Sequence, residues 1–385
     1  MDNQKWSWGR AVLVLFVFGL LSFLVGEIGI RIRDRIVSGT PILANPTYSS
    51  TLRIRKYGIW VGKPNAHYRK WKLNAFGFRS EPITLHEKPG CTRIMILGAS
   101  EMFGLYESPG KDFAADLTRD LKPRGCFTVI NAAMAGMGIM AAKVYWDHYL
   151  YRFRPNYVLI YPAPDISFIV YLHTPHGAHA KNDTRKPTAH HLAAGTGWHF
   201  HSRLLDYLHS FVHMPQAIAD WRTRRNIEAI IHAHPKSWRI RQVPKAVISR
   251  YTKSLTALIK DIQSSGSAPI LMTHALRITR KTYKSDEPAT LWVLSAGPQA
   301  TIQAWLENDT RSNTAMKEIA AQYELPVVHL SRKMSGCRAC FFDGAHFTNL
   351  GAKIAANTAT KVIVEVADKQ RAGAYDTTRA VAPGK

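Results

Sequence analysis

Three residues of this chain are of the types, and in the order, that acyl-transfer chemistry needs. Ser100 follows the apolar run Arg93–Leu97 through Gly98-Ala99, and Asp343 precedes His346 by three positions in Phe341-Phe342-Asp343-Gly344-Ala345-His346. A serine hydroxyl is a weak nucleophile at neutral pH and needs an adjacent base. An imidazole can take its proton, and a carboxylate within one turn can fix the imidazole tautomer and stabilise the imidazolium that forms. Each piece alone is weak, since serines after strands often cap helices and Asp343 could cap a local turn beside a surface histidine. Together they point to Ser100 as nucleophile, His346 as base and Asp343 as its orienting carboxylate.

Such a set needs a scaffold that brings residue 100 to residue 346. From residue 91 onward, short apolar runs alternate with longer amphipathic stretches, which is the pattern of βα units and a mostly parallel sheet. The predicted strands are Arg93–Leu97, Phe127–Ile130, Tyr157–Tyr161, Pro269–Thr273 and Pro326–His329. Each is short and continuously apolar, as expected for a strand covered on both faces. Helices are predicted around 111–122, 138–152, 246–264 and 299–323, with a last one from near Asn349 to about Val366. Ser100 then lies just past a strand, at the carboxyl edge where open α/β sheets keep their ligand sites. Gly98 permits a sharp turn there, and a helix starting soon after could direct backbone N–H groups at an anion.

Residues 166–245 are too long for an ordinary connection and read as a large insertion after the third strand. Nine of the 17 histidines fall between His173 and His213. Their spacing is irregular, and no H-x-x-x-H pair sits beside a carboxylate on a clear helix, so no metal is expected. A surface insertion that shapes a substrate cleft or a partner interface is the preferred reading.

The N-terminus carries a different signal. Ala11 to Gly26 are uncharged and almost wholly apolar, and Ile28 to Ile30 extend the run past Glu27, giving about 20 residues, enough to cross a bilayer as a helix. Trp6 and Trp8 stand where an interfacial aromatic belt would be. No small-x-small site closes the run, so an uncleaved signal anchor is preferred over a cleaved signal peptide. Arg31, Arg33 and Arg35 after the span would by charge alone lean towards a cytoplasmic C-terminal domain. The four cysteines argue the other way. Cys91 stands two residues before one predicted strand and Cys126 immediately before another, and a bridge between them is plausible if those strands are parallel neighbours. Cys337-x-x-Cys340 could close a second, local bridge, and bridges place the domain in an oxidising compartment. Four unrelated thiols, or a zinc held by the CxxC pair, are the alternatives. A structural zinc would need a second such pair or a nearby histidine pair.

Composition sets the outer limits. Of 385 residues, 46% are hydrophobic and 20% charged, which excludes global disorder, and no fixed-period repeat is present. The formal net charge of +24 favours polyanionic partners in general. The basic residues are scattered, with no aromatic-basic ladder for a nucleic-acid strand, so nucleic acid is the poorer reading. The expected organisation is a short flank (1–10), a transmembrane anchor (11–30), a stalk and lead-in (31–90), a catalytic domain (91–366) and a flexible tail (367–385).

These motifs resemble those of the SGNH (GDSL) hydrolases. Gly98-Ala99-Ser100-x-x-x-Gly104 is similar to that family's first block, Asn131-Ala132-Ala133-Met134-Ala135-Gly136 to its second, and Asp343-x-x-His346 with Gly351 to its last. The resemblance covers roughly residues 91–366. It implies a three-layer α/β/α flavodoxin-like fold with a five-stranded parallel sheet. It implies an oxyanion hole made by the backbone N–H groups of Ser100 and Gly136, with no metal or organic cofactor. It also implies esterase or acyltransferase chemistry on a carbohydrate or lipid ester. Anchored members resemble proteins that modify bacterial exopolysaccharides, which would put this chain in the inner membrane as a single-pass protein with a periplasmic domain. Two positions depart from the pattern. Ala99 replaces the usual Asp before the serine, and Pro164, in Pro162-Ala163-Pro164-Asp165, stands where the third block supplies an oxyanion-hole Asn. A proline offers neither a side-chain donor nor an N–H, and losing one oxyanion donor typically lowers the rate by about 10²–10³. The expected function is thus a membrane-anchored serine esterase or O-acyltransferase acting on O-acetyl groups of an envelope or exported polysaccharide. The alternatives are a non-catalytic subunit of a polysaccharide synthesis or export complex, with envelope partners, and a membrane-surface lipase or thioesterase.

Overall fold

The structure is a computed structural model and describes residues 8–44, 47–173, 202–211 and 216–371. Helix α1 (Trp8–Ser38) is longer at both ends than the 11–30 span expected from hydropathy, because Arg31 to Val37 continue the helix beyond the apolar run. Its Trp8–Val37 stretch is long and apolar enough to cross a membrane, and most of its apolar side chains are exposed.

Two small antiparallel hairpins follow, pairing Arg53–Lys56 with Ile59–Gly62 and His67–Tyr68 with Trp71–Lys72. Leu52, Val61, Leu73 and Phe78 of this lead-in are buried in the same apolar cluster as the central sheet. The apolar core therefore continues before residue 91, and the two hairpins are the short strands of the segment expected as stalk and irregular or short-stranded lead-in. Its apolar residues are spread over short elements and follow no sustained helical or strand period, which is why the segment reads as irregular.

The central sheet has five strands: β1 (Thr92–Leu97), β2 (Phe127–Asn131), β3 (Tyr157–Ile160), β4 (Ala268–Met272) and β5 (Val327–Val328). All four pairings are parallel and the order is β2-β1-β3-β4-β5, the flavodoxin-like arrangement. Every residue of β3 and β4 is buried, as continuous apolar runs covered on both faces require. The longer helices after α1 are α2 (Phe113–Leu121), α3 (Ile139–His148), α4 (Pro164–Leu172), α5 (Arg203–Phe211), α6 (Gln216–His232), α7 (Lys245–Ser264), α8 (Glu287–Ala296), α9 (Ile302–Gln322) and α10 (Asn349–Arg371). Helix α2 packs on α10 and β2, while α7 packs between α3 and α9 and against β4, so helices clothe the sheet on both faces.

Register explains the site. Leu97 pairs with Ile160, and Ile160 with Leu271, so the carboxyl ends of β1, β3 and β4 lie side by side. The order reverses at β1, which opens a crevice between β1 and β3, the position where such sheets bind ligands. Thr92 pairs with Phe127 at the opposite edge, and there Cys91 and Cys126 form a disulfide with Cα atoms 4.6 Å apart. Cys337 and Cys340 form the second, with Cα atoms 5.4 Å apart.

Other boundaries differ from expectation. Helix α10 runs to Arg371, five residues past the expected end, because Val366 and Ala367 remain in the core. The segment 367–371 is thus helix rather than tail, and 372–385 lie outside the described residues. Within the expected insertion, α4, α5 and α6 are described, and α5 packs on α1. Ser202 Oγ and the backbone N–H groups of Arg203 and Leu204 all donate to the Glu27 carboxylate of α1, at 2.8, 3.1 and 2.9 Å. The histidine-rich stretch, and with it the expected cleft or partner surface, falls mostly on 174–201 and 212–215, outside the described residues.

Candidate active site

The exit of β1 is shaped by close packing. A Cβ on Gly98 would lie 2.6 Å from Met102 Cγ and 3.3 Å from the Tyr161 carbonyl, so the turn that presents Ser100 needs glycine. Ser100 opens a single helical turn that ends at Gly104, a left-handed residue whose N–H donates to Ser100 O. The serine is thereby held at the carboxyl edge of β1, next to the central strand β3.

The partner loop comes from the opposite end of the chain. Phe341 bridges Phe347, and Phe342 N–H donates to His346 O at 2.8 Å, closing a tight loop over residues 342–346. Asp343 Oδ1 accepts from the N–H groups of Ala345 and His346 at 3.0 and 2.9 Å, which fixes the carboxylate. His346 Nδ1 then donates to Asp343 Oδ2 at 2.8 Å. That bond leaves Nε2 free to accept, and it lies 2.8 Å from Ser100 Oγ. The three residues singled out in the sequence therefore form one hydrogen-bonded chain, Asp343–His346–Ser100, spanning 246 positions. The imidazole is held edge-on between Tyr106 and Trp292, whose ring centroids lie 5.1 and 5.4 Å away, and it is 9% exposed. Burial opposes its protonation, but the hydrogen bond to Asp343 and the nearby carboxylates outweigh that and raise its pKa above the ordinary value.

The loop 131–137 lies beside this chain. Ala132 N–H donates to Ile96 O and Met134 N–H to Gly98 O, stitching the loop to β1. Gly136 has φ +79°, a left-handed conformation that favours glycine. Among the described residues, neither Ser100 N–H nor Gly136 N–H donates to a protein acceptor. Pro164 is the first residue of α4, and its carbonyl accepts from Asn308 Nδ2 at 3.2 Å. No donor arises at position 164 itself.

Sequence reasoning missed four contributors. Arg53, from the lead-in, donates Nη1 to Ala135 O at 3.1 Å and lies against the rings of Tyr48 and Trp60. It pins the residue before Gly136. Arg53→Met should therefore lower kcat on an aryl acetate by about 10-fold to 100-fold, the scale of a small misplacement near the reacting atoms. Unchanged kcat in a folded variant would show that Arg53 has no positioning role. The other three, Glu101, His274 and Asp309, lie behind the serine. Ser100 Oγ is 3.4 Å from Glu101 Oε2, and His274 Nδ1 is 2.6 Å from Asp309 Oδ1. Burial opposes protonation of His274, but Asp309, Glu101 and Asp165 together hold its pKa well above the ordinary value. The available signal was positional, since Glu101, Asp165 and His274 all follow predicted strands.

No protein-family model matches the chain, and no curated protein sequence matches it. Several solved structures resemble it in shape. A lipase/acylhydrolase from Enterococcus faecalis is 15% identical with a TM-score of 0.40, covering 71% of this chain and 96% of its own. An acetyl xylan esterase from Geobacillus stearothermophilus is 13% identical with a TM-score of 0.40, covering 71% and 94%. A lipolytic protein of the G-D-S-L family from Desulfitobacterium hafniense is 11% identical with a TM-score of 0.39, covering 70% and 99%. Likenesses at this level say nothing of substrate or activity.

Proposed function

We propose that the protein is a serine ester hydrolase or O-acyltransferase of the SGNH type, with Ser100 as nucleophile, His346 as general base and acid, and Asp343 as the orienting carboxylate. The observation that carries this reading is the unbroken chain from Asp343 through His346 to Ser100, with both links at 2.8 Å. Ser100 Oγ attacks the acyl carbon while its proton passes to His346 Nε2. The backbone N–H groups of Ser100 and Gly136, each without a protein acceptor among the described residues, would receive the oxyanion. Collapse expels the sugar alkoxide, which takes the proton from His346 and leaves an acyl-Ser100 ester. Water, or a second sugar hydroxyl in a transferase, then attacks the acyl carbon as its proton passes to His346, and the Ser100–acyl bond breaks as His346 returns that proton to Ser100 Oγ.

Substrate and location follow from weaker features. The net charge of +24 suits an acidic glycan, and the apolar α1 suits a membrane anchor. The two disulfides favour an oxidising compartment, hence a periplasmic domain on the inner membrane. An O-acetylated envelope or exported polysaccharide is accordingly the substrate we assign. A second reading, a non-catalytic subunit that keeps the fold, is favoured by two observations. Pro164 lacks a donor, and the Glu101 carboxylate lies 3.4 Å from the serine hydroxyl. Acetate release from acetylated acidic and neutral oligosaccharides by the purified full chain separates the two. Release, faster on the acidic glycan, is expected, and no release from any acetyl ester would favour the non-catalytic subunit.

A further inference from the structure

Behind Ser100, the exits of β1, β3 and β4 bring Glu101, Asp165 and His274 together, with one ligand-type atom of each within 4.8 Å of the others. His274 is 1% exposed, and its Nδ1 is engaged by Asp309 Oδ1 at 2.6 Å. Its Nε2 is buried, has no hydrogen-bond partner among the described residues, and faces Glu101 Oε1 at 3.6 Å and Asp165 Oδ1 at 3.9 Å. Asp165 Oδ1 is likewise buried, without a partner among the described residues. Burying such groups unpaired is unfavourable, and among the described residues no lysine or arginine forms an ion pair with any of these carboxylates.

The distances select among the ways of satisfying this cluster. A proton on Nε2 would answer the charge but not the geometry, since a charged N–H donor closes to about 2.7–2.9 Å of a carboxylate oxygen. The separations of 3.6 and 3.9 Å are instead close to those between atoms sharing one ion, because bonds of about 2.0–2.2 Å at near-tetrahedral to trigonal angles hold ligands some 3.3–3.8 Å apart. A carboxylate on the far ring nitrogen is also what metal-bound histidines ordinarily carry, fixing the tautomer and leaving Nε2 to ligate. Asp309 occupies that place. A cavity of about 30 Å³, lined by Asp165, His274 and Asp309 together with Trp292 and Trp305, adjoins the cluster and has room for a water ligand.

We propose that Glu101, Asp165 and His274 form a site for a first-row divalent cation such as Mn²⁺ or Zn²⁺, oriented by Asp309 and set directly behind the nucleophile. One imidazole and two carboxylates suit these ions better than Ca²⁺, which takes oxygen ligands in larger number. The ion would neutralise the carboxylate beside Ser100 and hold Glu101 away from the space where negative charge develops. Binding of the ion is independent of the esterase reading, since such a site could equally serve a non-catalytic subunit, whereas its effect at Ser100 rests on that reading.

The test uses the full chain in detergent, stripped with a chelator and titrated with MnCl₂, the free ion being followed by electron paramagnetic resonance. Mn²⁺ is chosen because carboxylate-containing sites hold it better than imidazole alone does, which limits the signal from the histidines outside the cluster. One saturable equivalent per chain is expected. Affinity should fall at least 10-fold in Asp165→Asn and His274→Gln, and by about 10-fold to 100-fold in Asp309→Asn, while His173→Gln binds as the parent does. Should His274→Gln fail to fold, Asp165→Asn, at a partly exposed position, carries the comparison. No saturable equivalent in the parent, or equal affinity in the parent and in folded Asp165→Asn, would overturn the proposal.

Discussion

Asp343→Asn should lower kcat on an aryl acetate by about 10⁴-fold while leaving the fold intact, the scale seen when a triad carboxylate loses its charge but keeps its shape. The reason lies in the double role of Asp343. Its Oδ1 is fixed by the N–H groups of Ala345 and His346, and its Oδ2 takes the Nδ1 proton that leaves Nε2 basic. An asparagine keeps the first role through its carbonyl but can present its NH₂ to Nδ1, which favours the tautomer with Nε2 protonated and useless as a base. The pH profile carries the same signature. His346 must be neutral to accept the serine proton, and its pKa is raised in the folded protein. Activity in the parent should therefore fall as pH drops through a midpoint above the ordinary histidine value of about 6.5. Removing the Asp343 charge takes away the chief cause of the rise, so the midpoint should move to lower pH in Asp343→Asn. Rate against pH on the two proteins checks both statements, and an unmoved midpoint would remove Asp343 from the role assigned to it.

Ser100→Ala is the second large effect, expected to lower kcat by about 10⁴-fold or more because nucleophile and base act as a unit. His346→Ala should cost about as much, and the double variant little more than either single one. Additive losses would mean that the two residues act separately. Loss of the hydroxyl also removes the 2.8 Å contact to His346 but no core packing, so the melting temperature should change little. A large fall in both activity and melting temperature would instead mark Ser100 as a structural residue.

The legibility of this chain differs by element. The five strands could be read because each is a short apolar run covered on both faces, and their observed ends lie within one or two residues of expectation. Helix α8, with the sequence Glu-Pro-Ala-Thr-Leu-Trp-Val-Leu-Ser-Ala, was not anticipated. Its residues are mostly apolar around the whole cylinder, so no period of 3.6 separates a buried face. The Asp343–His346 spacing was legible because both residues belong to one loop, and Ser100 because it follows a strand. Arg53 was not legible, since nothing local marks a residue whose role is to reach Ala135, 82 positions away. The cluster of Glu101, Asp165 and His274 was invisible for the same reason. Its members sit at the ends of three strands, and only the order β2-β1-β3-β4-β5 makes those ends neighbours. A metal motif with fixed spacing would have been seen, whereas one assembled by sheet topology has no spacing to see.

Pro164 gains a physical meaning from the structure. It begins α4, where the missing N–H has no intrahelical partner to lose. The residue is therefore well suited to its backbone position while supplying nothing to an oxyanion. On the proposed esterase reading, turnover would rest on the N–H groups of Ser100 and Gly136, and on whatever relieves the negative charge of Glu101.

On the proposed mechanism His346 activates Ser100 as a nucleophile. The most direct measurement is reaction of the purified full chain with an organophosphonate ester, followed by intact mass and peptide mapping. A single adduct on Ser100 is predicted, absent in Ser100→Ala and formed far more slowly in Asp343→Asn. No adduct under conditions where the protein is folded, or an adduct on another residue at the same rate in Ser100→Ala, would contradict it.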